Sequence, residues 1–285
     1  MKYCVNTYSF GAYGNSDKLG IYGMIDKAAQ LGYDGIEFTE SYWLDATDSE
    51  LAKIGGYVKE RGLEAVSLCV GADLLNRDFG TEIRRVCRLI DKANLLGASM
   101  LRHDASSGFV TDRKFGLSYA DALPRLAEGC RKISEYGKSV GIKTMTENHG
   151  YFSQDADRVE ALINAVACDN FGALIDLGNF MCADEDPTVS VGKLARYAFH
   201  AHAKDFLYKP GTLPFPGDGW FRTRAGNFLR GTIIGHGEAK IWQSIGILKR
   251  SGYNGWLSVE FEGLEDNLTG IKMGLDNLKR LYETA

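Results

Sequence analysis

Two distant segments of the chain, AAQLGYDGIEF (residues 28–38) and LKRSGYNGWLSVEF (residues 248–261), share one pattern. Each passes from an amphipathic run through a Gly-Tyr-Asp-Gly or Gly-Tyr-Asn-Gly turn into a short apolar strand that closes on an acidic residue. Glycine often ends a helix at such a place because it adopts the left-handed backbone conformation at little cost. The pattern therefore predicts repeated helix–turn–strand units.

Short apolar strands alternate with longer amphipathic runs along the rest of the chain, as they do when helices join parallel strands. The predicted strands are residues 2–8, 34–38, 64–70, 99–104, 142–148, 171–177, 198–204 and 255–261. Eight such units favour a single (β/α)₈ TIM barrel of the α/β class over residues 1–285. A doubly wound sheet is the alternative, but it is expected to carry a glycine-rich phosphate turn, and neither GxGxxG nor GxxxxGK[ST] occurs.

Length and composition are typical of one globular domain that binds a small molecule. The chain has 285 residues, of which 45% are hydrophobic and 25% charged, and a formal charge of −4 with a pI near 5.8. This balance provides no basic field for nucleic acid, and no apolar run of about 18 residues predicts a membrane span. We therefore expect a small-molecule partner, no nucleic acid and no membrane.

The cysteines and the N-terminal segment indicate where in the cell the protein is expected. Six cysteines are scattered without a Cys-x-x-Cys pair, which argues against a disulfide framework and a thiolate metal site. The N-terminal segment MKYCVNTYSF lacks the order of a secretory signal and has the character of a first strand. A cytoplasmic location is expected, and both a homo-oligomer and a complex with an unlike subunit stay open.

Side chains of metal-ligand type close four consecutive predicted strands. In a TIM barrel the carboxyl ends of the strands form the active site; here they carry Glu147, Asp176, His202 and Glu260. A single acid at such a place could simply cap the next helix. Three carboxylates buried on one rim, however, lose hydration and repel each other. This costs free energy unless a cation neutralises them. The set predicts one divalent ion, with Mn²⁺ favoured and Mg²⁺, Co²⁺ or Zn²⁺ as alternatives.

Further residues are candidates for catalysis or substrate binding. His149 follows the predicted fifth strand and either acts as an acid or base in the pocket or lies at the surface. Glu37 either binds a substrate hydroxyl or forms a structural salt bridge. His200 is expected one layer below His202, supporting it or packing in the core. Aromatic residues at strand exits form either a pocket wall or ordinary packing: Tyr8, Phe10 and Trp43.

The connection over residues 205–237 is much longer than a usual loop between a strand and a helix. It is predicted to be a loop over the barrel mouth, acting as a lid or an interface arm. Arg222 could then bind a phosphate or carboxylate, and His236 could approach the pocket. A solvated loop without a function is the alternative.

Four motifs carry a resemblance to a known family: TMTENHG (144–150), ALIDLGNF (173–180), HAHAKDF (200–206) and GHGEAKIWQSIGILKRSGYNGWLSVEFEG (235–263). Over essentially the whole chain they resemble the xylose isomerase-like TIM barrel superfamily, in particular its sugar phosphate isomerase/epimerase branch with tagatose-type 3-epimerases. The resemblance implies that the four strand-end residues bind Mn²⁺ or a similar ion. Asn179 and Lys204 are candidate substrate contacts. Asn179 stands where the epimerases have a substrate-contacting histidine, and Lys204-Asp205 replaces an arginine, which argues against a ketohexose 3-epimerase.

The predicted activity is that of a divalent-metal-dependent sugar isomerase or epimerase. It would remove a proton next to a carbonyl and pass through an enediolate, with Glu147 and Glu260 acting from opposite sides. If His149 protonates a leaving group, the alternative is a dehydratase or lyase on a keto-sugar, keto-inositol or oxidised glycoside. Two other classes are a non-catalytic binding subunit and an apurinic endonuclease. The endonucleases of this superfamily use three zinc ions and many histidines, whereas this chain has five histidines.

Overall fold

The computed structural model of the chain describes residues 1–40 and 46–285. Trp43, predicted to join an aromatic wall, lies outside the described residues. The strands in chain order are β1 (Lys2–Asn6), β2 (Gly35–Thr39), β3 (Glu64–Val70), β4 (Met100–His103), β5 (Lys143–Glu147), β6 (Phe171–Asp176), β7 (Ala198–Ala203), β8 (Asp205–Lys209), β9 (Phe221–Arg222), β10 (Phe228–Thr232) and β11 (Trp256–Val259).

Eight of the described strands close a barrel in the order β1-β11-β7-β6-β5-β4-β3-β2. Every neighbouring pair in this ring is parallel, including the closing pair of β1 and β11. The predicted (β/α)₈ fold is therefore confirmed, and the predicted strands agree with the observed ones to within a few residues. Parallel strands whose carboxyl ends share one face bring the four ligand-type residues to the same rim.

Helices surround the barrel, and their ends follow the local chemistry of the sequence. The helices are α1 (Gly20–Leu31), α2 (Asp48–Glu60), α3 (Phe79–Leu96), α4 (Tyr119–Ser139), α5 (Ala156–Val166), α6 (Pro187–Leu194), α7 (Ile241–Arg250) and α8 (Asn267–Thr284). Thr47 and Ser118 cap the N-termini of α2 and α4 through reciprocal capping boxes. Gly32 caps the C-terminus of α1 in the left-handed conformation. Within the described residues, every helix is too short or too polar to cross a membrane.

Two apolar layers hold the barrel together. The larger core lies between the outer strand faces and the helices, where side chains such as Val5 and Leu101 are fully buried. A smaller cluster consists of strand residues, among them Cys4, Met145 and Leu174. Side chains alternate between the inside and the outside of the barrel along each strand. The inward-facing residues near the carboxyl ends of the strands therefore lie next to the barrel mouth.

The segment predicted as a long loop over residues 205–237 has regular structure. Strands β8, β10 and β9 form a three-stranded antiparallel sheet in that order, separate from the barrel. The carboxylate of Asp205 accepts hydrogen bonds from the amides of Gly235, Gly237 and Ala239 at 2.8–3.0 Å, which ties both ends of the segment together. The sheet extends from the carboxyl end of β7.

Candidate metal centre and active site

The four predicted metal ligands meet at the carboxyl ends of four adjacent barrel strands. They are Glu147 on β5, Asp176 on β6, His202 on β7 and Glu260 directly after β11. One potential ligand atom from each lies within 4.8 Å of the others. Asp176 and His202 are buried, with side chains 0% and 1% exposed, whereas Glu260 is 12% exposed and faces the opening. The donor set is three carboxylates and one imidazole, which suits a divalent cation.

The position of Asp176 is fixed by the turn that follows β6. Its Oδ1 accepts hydrogen bonds from the amides of Gly178 and Asn179 at 2.8 and 2.9 Å. A side chain at Gly178 would collide with the carbonyl oxygen of Lys204, so glycine permits this close approach of β6 to β7. The carboxylate is therefore held with Oδ2 directed into the site.

Two buried atoms in the cluster fit the metal prediction because they lack a hydrogen-bond partner among the described residues. These atoms are Asp176 Oδ2 and His202 Nδ1, which lie 4.0 Å apart. Burial, together with the charges of Glu260 and Glu147, raises the pKa of Asp176 to about 7. The charges of Lys204 and His202 oppose this rise, and a divalent cation at this point would add further positive charge next to the carboxylate.

Lys204 extends from the end of β7 into the same group of acids. Its Nζ lies 2.8 Å from Glu260 Oε2, 3.4 Å from Glu262 Oε2 and 3.5 Å from Asp176 Oδ2. Although burial opposes it, the surrounding carboxylates raise the pKa of Lys204 well above its ordinary value. Asn179 accepts a hydrogen bond from Lys204 at 3.3 Å and donates one to Glu147 at 2.9 Å. Both candidate substrate contacts thus lie in direct contact with the ligand cluster.

Glu37, for which a substrate contact and a structural salt bridge are the two predictions, contacts two buried histidines. Its side chain is 0% exposed and lies below the cluster, where the inward face of β2 meets the histidines of β7. Its Oε2 is 2.7 Å from His202 Nε2 and its Oε1 is 3.1 Å from His200 Nε2. Despite the opposing effect of burial, the two histidines hold the pKa of Glu37 well below its usual range. Glu37 is a buried anion that orients His202, and His200 lies in the supporting layer, as expected.

Arg102 and Asp104 are functional candidates that sequence reasoning missed. Arg102 Nε lies 2.7 Å from Glu147 Oε2, and its Nη2 lies 2.9 Å from Asp104 Oδ1. The same oxygen of Asp104 is 3.0 Å from His149 Nδ1. Burial alone would raise the pKa of Asp104, but Arg102 and His149 hold it below its ordinary value. The sequence did contain a pattern that could have identified them, since the predicted fourth strand SMLRHD also ends in charged residues at the rim.

A cavity of about 210 Å³ opens directly above the cluster. Its described lining is Tyr8, Thr39, Cys69, Arg102, Glu147, His149, Lys204, Glu260 and Glu262. The structure thus brings His149 and Lys204 to the same space as two of the candidate metal ligands. We call this space the inner cavity.

Two predicted substrate contacts lie elsewhere. Arg222 is exposed on β9, and its guanidinium stacks on the ring of Phe228 at 4.7 Å. His236 is exposed in the turn after β10, whose neighbouring amides bind Asp205. Neither belongs to the lining of the inner cavity. Arg222 takes its position from the pairing of β9 with β10, and His236 lies in a turn whose neighbouring amides bind Asp205.

A closed parallel barrel with a candidate metal centre at its carboxyl end defines the class of this protein. The xylose isomerase-like TIM barrel family matches residues 25–281, so the chain belongs to this family. The predicted resemblance is therefore confirmed.

The chain is similar in sequence to named bacterial proteins, including an enzyme. The chain is 26% identical to the rhizopine catabolism protein MocC of Rhizobium meliloti over 279 residues, which cover 92% of this chain and 81% of MocC. It is 23% identical to the inosose dehydratase of Lacticaseibacillus casei over 264 residues, covering 84% of this chain and 80% of the dehydratase. Both matches extend over most of the barrel.

Solved structures share the fold at lower sequence identity. An L-ribulose 3-epimerase superposes with a TM-score of 0.78 at 15% identity, covering 100% of this chain and 95% of the epimerase. The IOLI protein with a bound zinc atom gives a TM-score of 0.77 at 18% identity, with coverages of 100% and 99%. A barrel protein of Mycobacterium smegmatis in complex with magnesium gives 0.73 at 19% identity, with coverages of 99% and 97%.

Proposed function

We propose that the chain is a divalent-metal-dependent enzyme that removes a proton from the carbon next to a carbonyl group of a sugar or an inositol-like ketone. The convergence of Glu147, Asp176, His202 and Glu260 below one cavity carries this proposal. A divalent ion held by these residues, with Mn²⁺ the first candidate, would polarise the carbonyl and make the adjacent C–H group acidic. Names of the relatives support a small polyhydroxylated substrate.

Isomerisation or epimerisation follows if the proton is returned to the substrate. Glu147 lies on β5 and Glu260 directly follows β11, and β6 and β7 separate these two strands, so their carboxylates approach the cavity from different sides. One carboxylate can accept the proton and the other can return it, to the opposite face or to the neighbouring carbon. Arg102 and Lys204 hold these two carboxylates in position at 2.7 and 2.8 Å.

Elimination is the second candidate, and the contact between His149 and Asp104 favours it. The carboxylate of Asp104 orients the imidazole through Nδ1, while the His149 side chain lines the inner cavity. A proton donor at this place could protonate an oxygen that leaves from the β carbon. The electron pair of the broken C–H bond would then form the C=C bond as the C–O bond breaks. The names of the inosose dehydratase relatives support this outcome.

The test is an NMR measurement of solvent deuterium entering ketoses, keto-inositols and oxidised glycosides with added Mn²⁺. Deuterium in a substrate or isomer without elimination indicates isomerase or epimerase activity, and an unsaturated product indicates a lyase. Asp176→Asn should bind Mn²⁺ much more weakly than the wild type and lose the exchange. Exchange that persists unchanged after complete metal removal would contradict the metal-dependent proposal.

A further inference from the structure

A second cavity of about 350 Å³, called here the outer cavity, adjoins the inner one over the ends of β2 to β5. Its described lining is Glu40, Gly71, Ala72, Asp73, Arg77, Arg85, Asp104, Ser106, Ser107, His149 and Gly150. His149 lines both cavities, so the imidazole stands at their junction. A substrate bound above the metal ligands therefore has room to extend past His149.

The inner cavity is small for a complete substrate site. At about 210 Å³ it is below the roughly 300–1,000 Å³ typical of ligand pockets, whereas the outer cavity falls in that range. A substrate that fills both spaces would bury more of its surface than one that stays above the cluster.

The outer cavity is polar, and its two arginines are already paired with carboxylates. Arg85 lies 2.9 Å from the buried carboxylate of Glu82 and 3.2 Å from Glu40, and Arg77 lies 3.2 Å from Glu82. Asp73 accepts a hydrogen bond from Ser106 at 2.8 Å. Because each arginine has a carboxylate partner, the cavity provides no excess positive charge for a phosphate or carboxylate of a ligand.

This lining suits a neutral group rich in hydroxyls. A hydroxyl donates to carboxylate oxygens such as those of Glu40 and Asp104, and it accepts from guanidinium and serine groups. A second sugar ring presents hydroxyls in several directions and has the required chemistry.

We propose that the outer cavity is a binding subsite for a neutral polyhydroxylated ring attached to the reacting ketone, so that the substrate is a keto-glycoside larger than one ring. The inference rests on the proposed proton removal above the metal cluster. In the elimination branch, the bond to the second ring crosses the junction at His149. The C–O bond breaks there, its electron pair stays on the departing oxygen, and the imidazole supplies the proton that makes the second ring an alcohol.

The experiment compares a disaccharide ketone with the methyl glycoside of the same ketone, which lacks the second ring. Solvent deuterium exchange gives the KM for each compound, and saturation-transfer NMR reports binding without turnover. Wild-type protein with Mn²⁺ should show a KM at least tenfold lower for the disaccharide ketone, together with saturation transfer to its second ring. Equal KM values, or no binding of the disaccharide ketone, would overturn the inference.

A bulky substitution in the outer cavity tests whether this cavity binds the second ring. Ser107 is exposed and lines the outer cavity, so Ser107→Trp should raise the KM for the disaccharide ketone about tenfold and leave the methyl glycoside unchanged. Val110→Trp is the matched control, because Val110 is 80% exposed, follows the same strand and does not line this cavity. An equal effect of Ser107→Trp on both compounds would contradict the subsite. Failure of the proposed chemistry is recognisable separately, as binding of the disaccharide ketone without deuterium exchange.

Discussion

Glu37 Oε2 and His202 Nε2 lie 2.7 Å apart in a fully buried contact directly below the candidate metal centre. An ionised carboxylate only accepts hydrogen bonds, so the imidazole donates through Nε2–H. In the neutral imidazole the lone pair is then on Nδ1, the atom that faces Asp176 and Glu260. Glu37 thereby selects the form of His202 that can bind a metal ion.

Glu37→Gln should weaken divalent metal binding by about 10–100-fold, the usual effect of losing such a supporting contact. The glutamine has nearly the same volume but no charge to hold the imidazole in one form. Titration of the metal-free protein with Co²⁺, followed by its visible absorption, measures the affinity and the ligand geometry. Ser258→Ala is the control, because it removes only the hydroxyl that donates to Glu37 at 3.0 Å. Unchanged Co²⁺ affinity in Glu37→Gln would refute this role.

Lys204→Met should increase the affinity for a divalent cation, roughly tenfold by removal of one nearby like charge. The ammonium lies 2.8 Å from Glu260 and 3.5 Å from Asp176, so it competes with a metal ion for the same carboxylates. The metal-free variant should also unfold at a lower temperature, since buried carboxylates lose their counter-charge. Calorimetric titration with Mn²⁺ and thermal unfolding with and without metal check both effects. Weaker Mn²⁺ binding would show instead that the ammonium helps to build the site.

His149→Ala should separate proton removal from loss of a leaving group. If the enzyme is a lyase, elimination should fall by about 10²–10⁴-fold while deuterium exchange continues, because a positioned acid contributes an effect of that size. Asp104→Asn should reduce elimination less, since His149 remains but loses the carboxylate 3.0 Å away. Product formation and exchange are measured together by NMR. Elimination at a nearly normal rate in His149→Ala would remove this residue from the mechanism.

Glu82→Gln should destabilise the protein at neutral pH, by roughly 2 kcal/mol for loss of its charged hydrogen bonds. The side chain is 3% exposed, accepts the amide of Asp73 at 2.9 Å and pairs with Arg85. Burial alone would raise the pKa of Glu82, but these contacts lower it to about 2. Because the folded pKa is depressed, this stabilisation is present above the unfolded value near 4.3 and is lost as pH falls toward 2.

Urea unfolding at several pH values tests this prediction. The wild type should lose more stability than Glu82→Gln between about pH 4.5 and pH 2, because only the wild type has this carboxylate to protonate. Glu128→Gln is the control, since Glu128 pairs with Lys132 on the surface with a side chain that is 54% exposed. Parallel pH profiles of wild type and Glu82→Gln would contradict the assignment.

Local sequence patterns were sufficient to predict the barrel. The predicted strand at residues 171–177 corresponds to β6 at Phe171–Asp176, and that at 64–70 corresponds to β3 at Glu64–Val70. Strand ends in a parallel barrel share one rim, so ligand-type residues at four consecutive ends could be expected to meet. The same reasoning did not predict β8 to β10, because their pairing depends on contacts between residues distant in sequence.

The sequence by itself determined the eight-fold alternation, the polarity of the strand ends and the choice of residues at the candidate metal centre, because these depend on local periodicity and residue chemistry. Only the tertiary structure decided that Glu37 lies below the cluster, that Arg102 holds Glu147, and that His149 stands between two cavities. The physical reason is that strand stagger and barrel closure set the depth of each side chain. The partners in these contacts come from different strands, whose relative heights are not encoded in the spacing along any one of them.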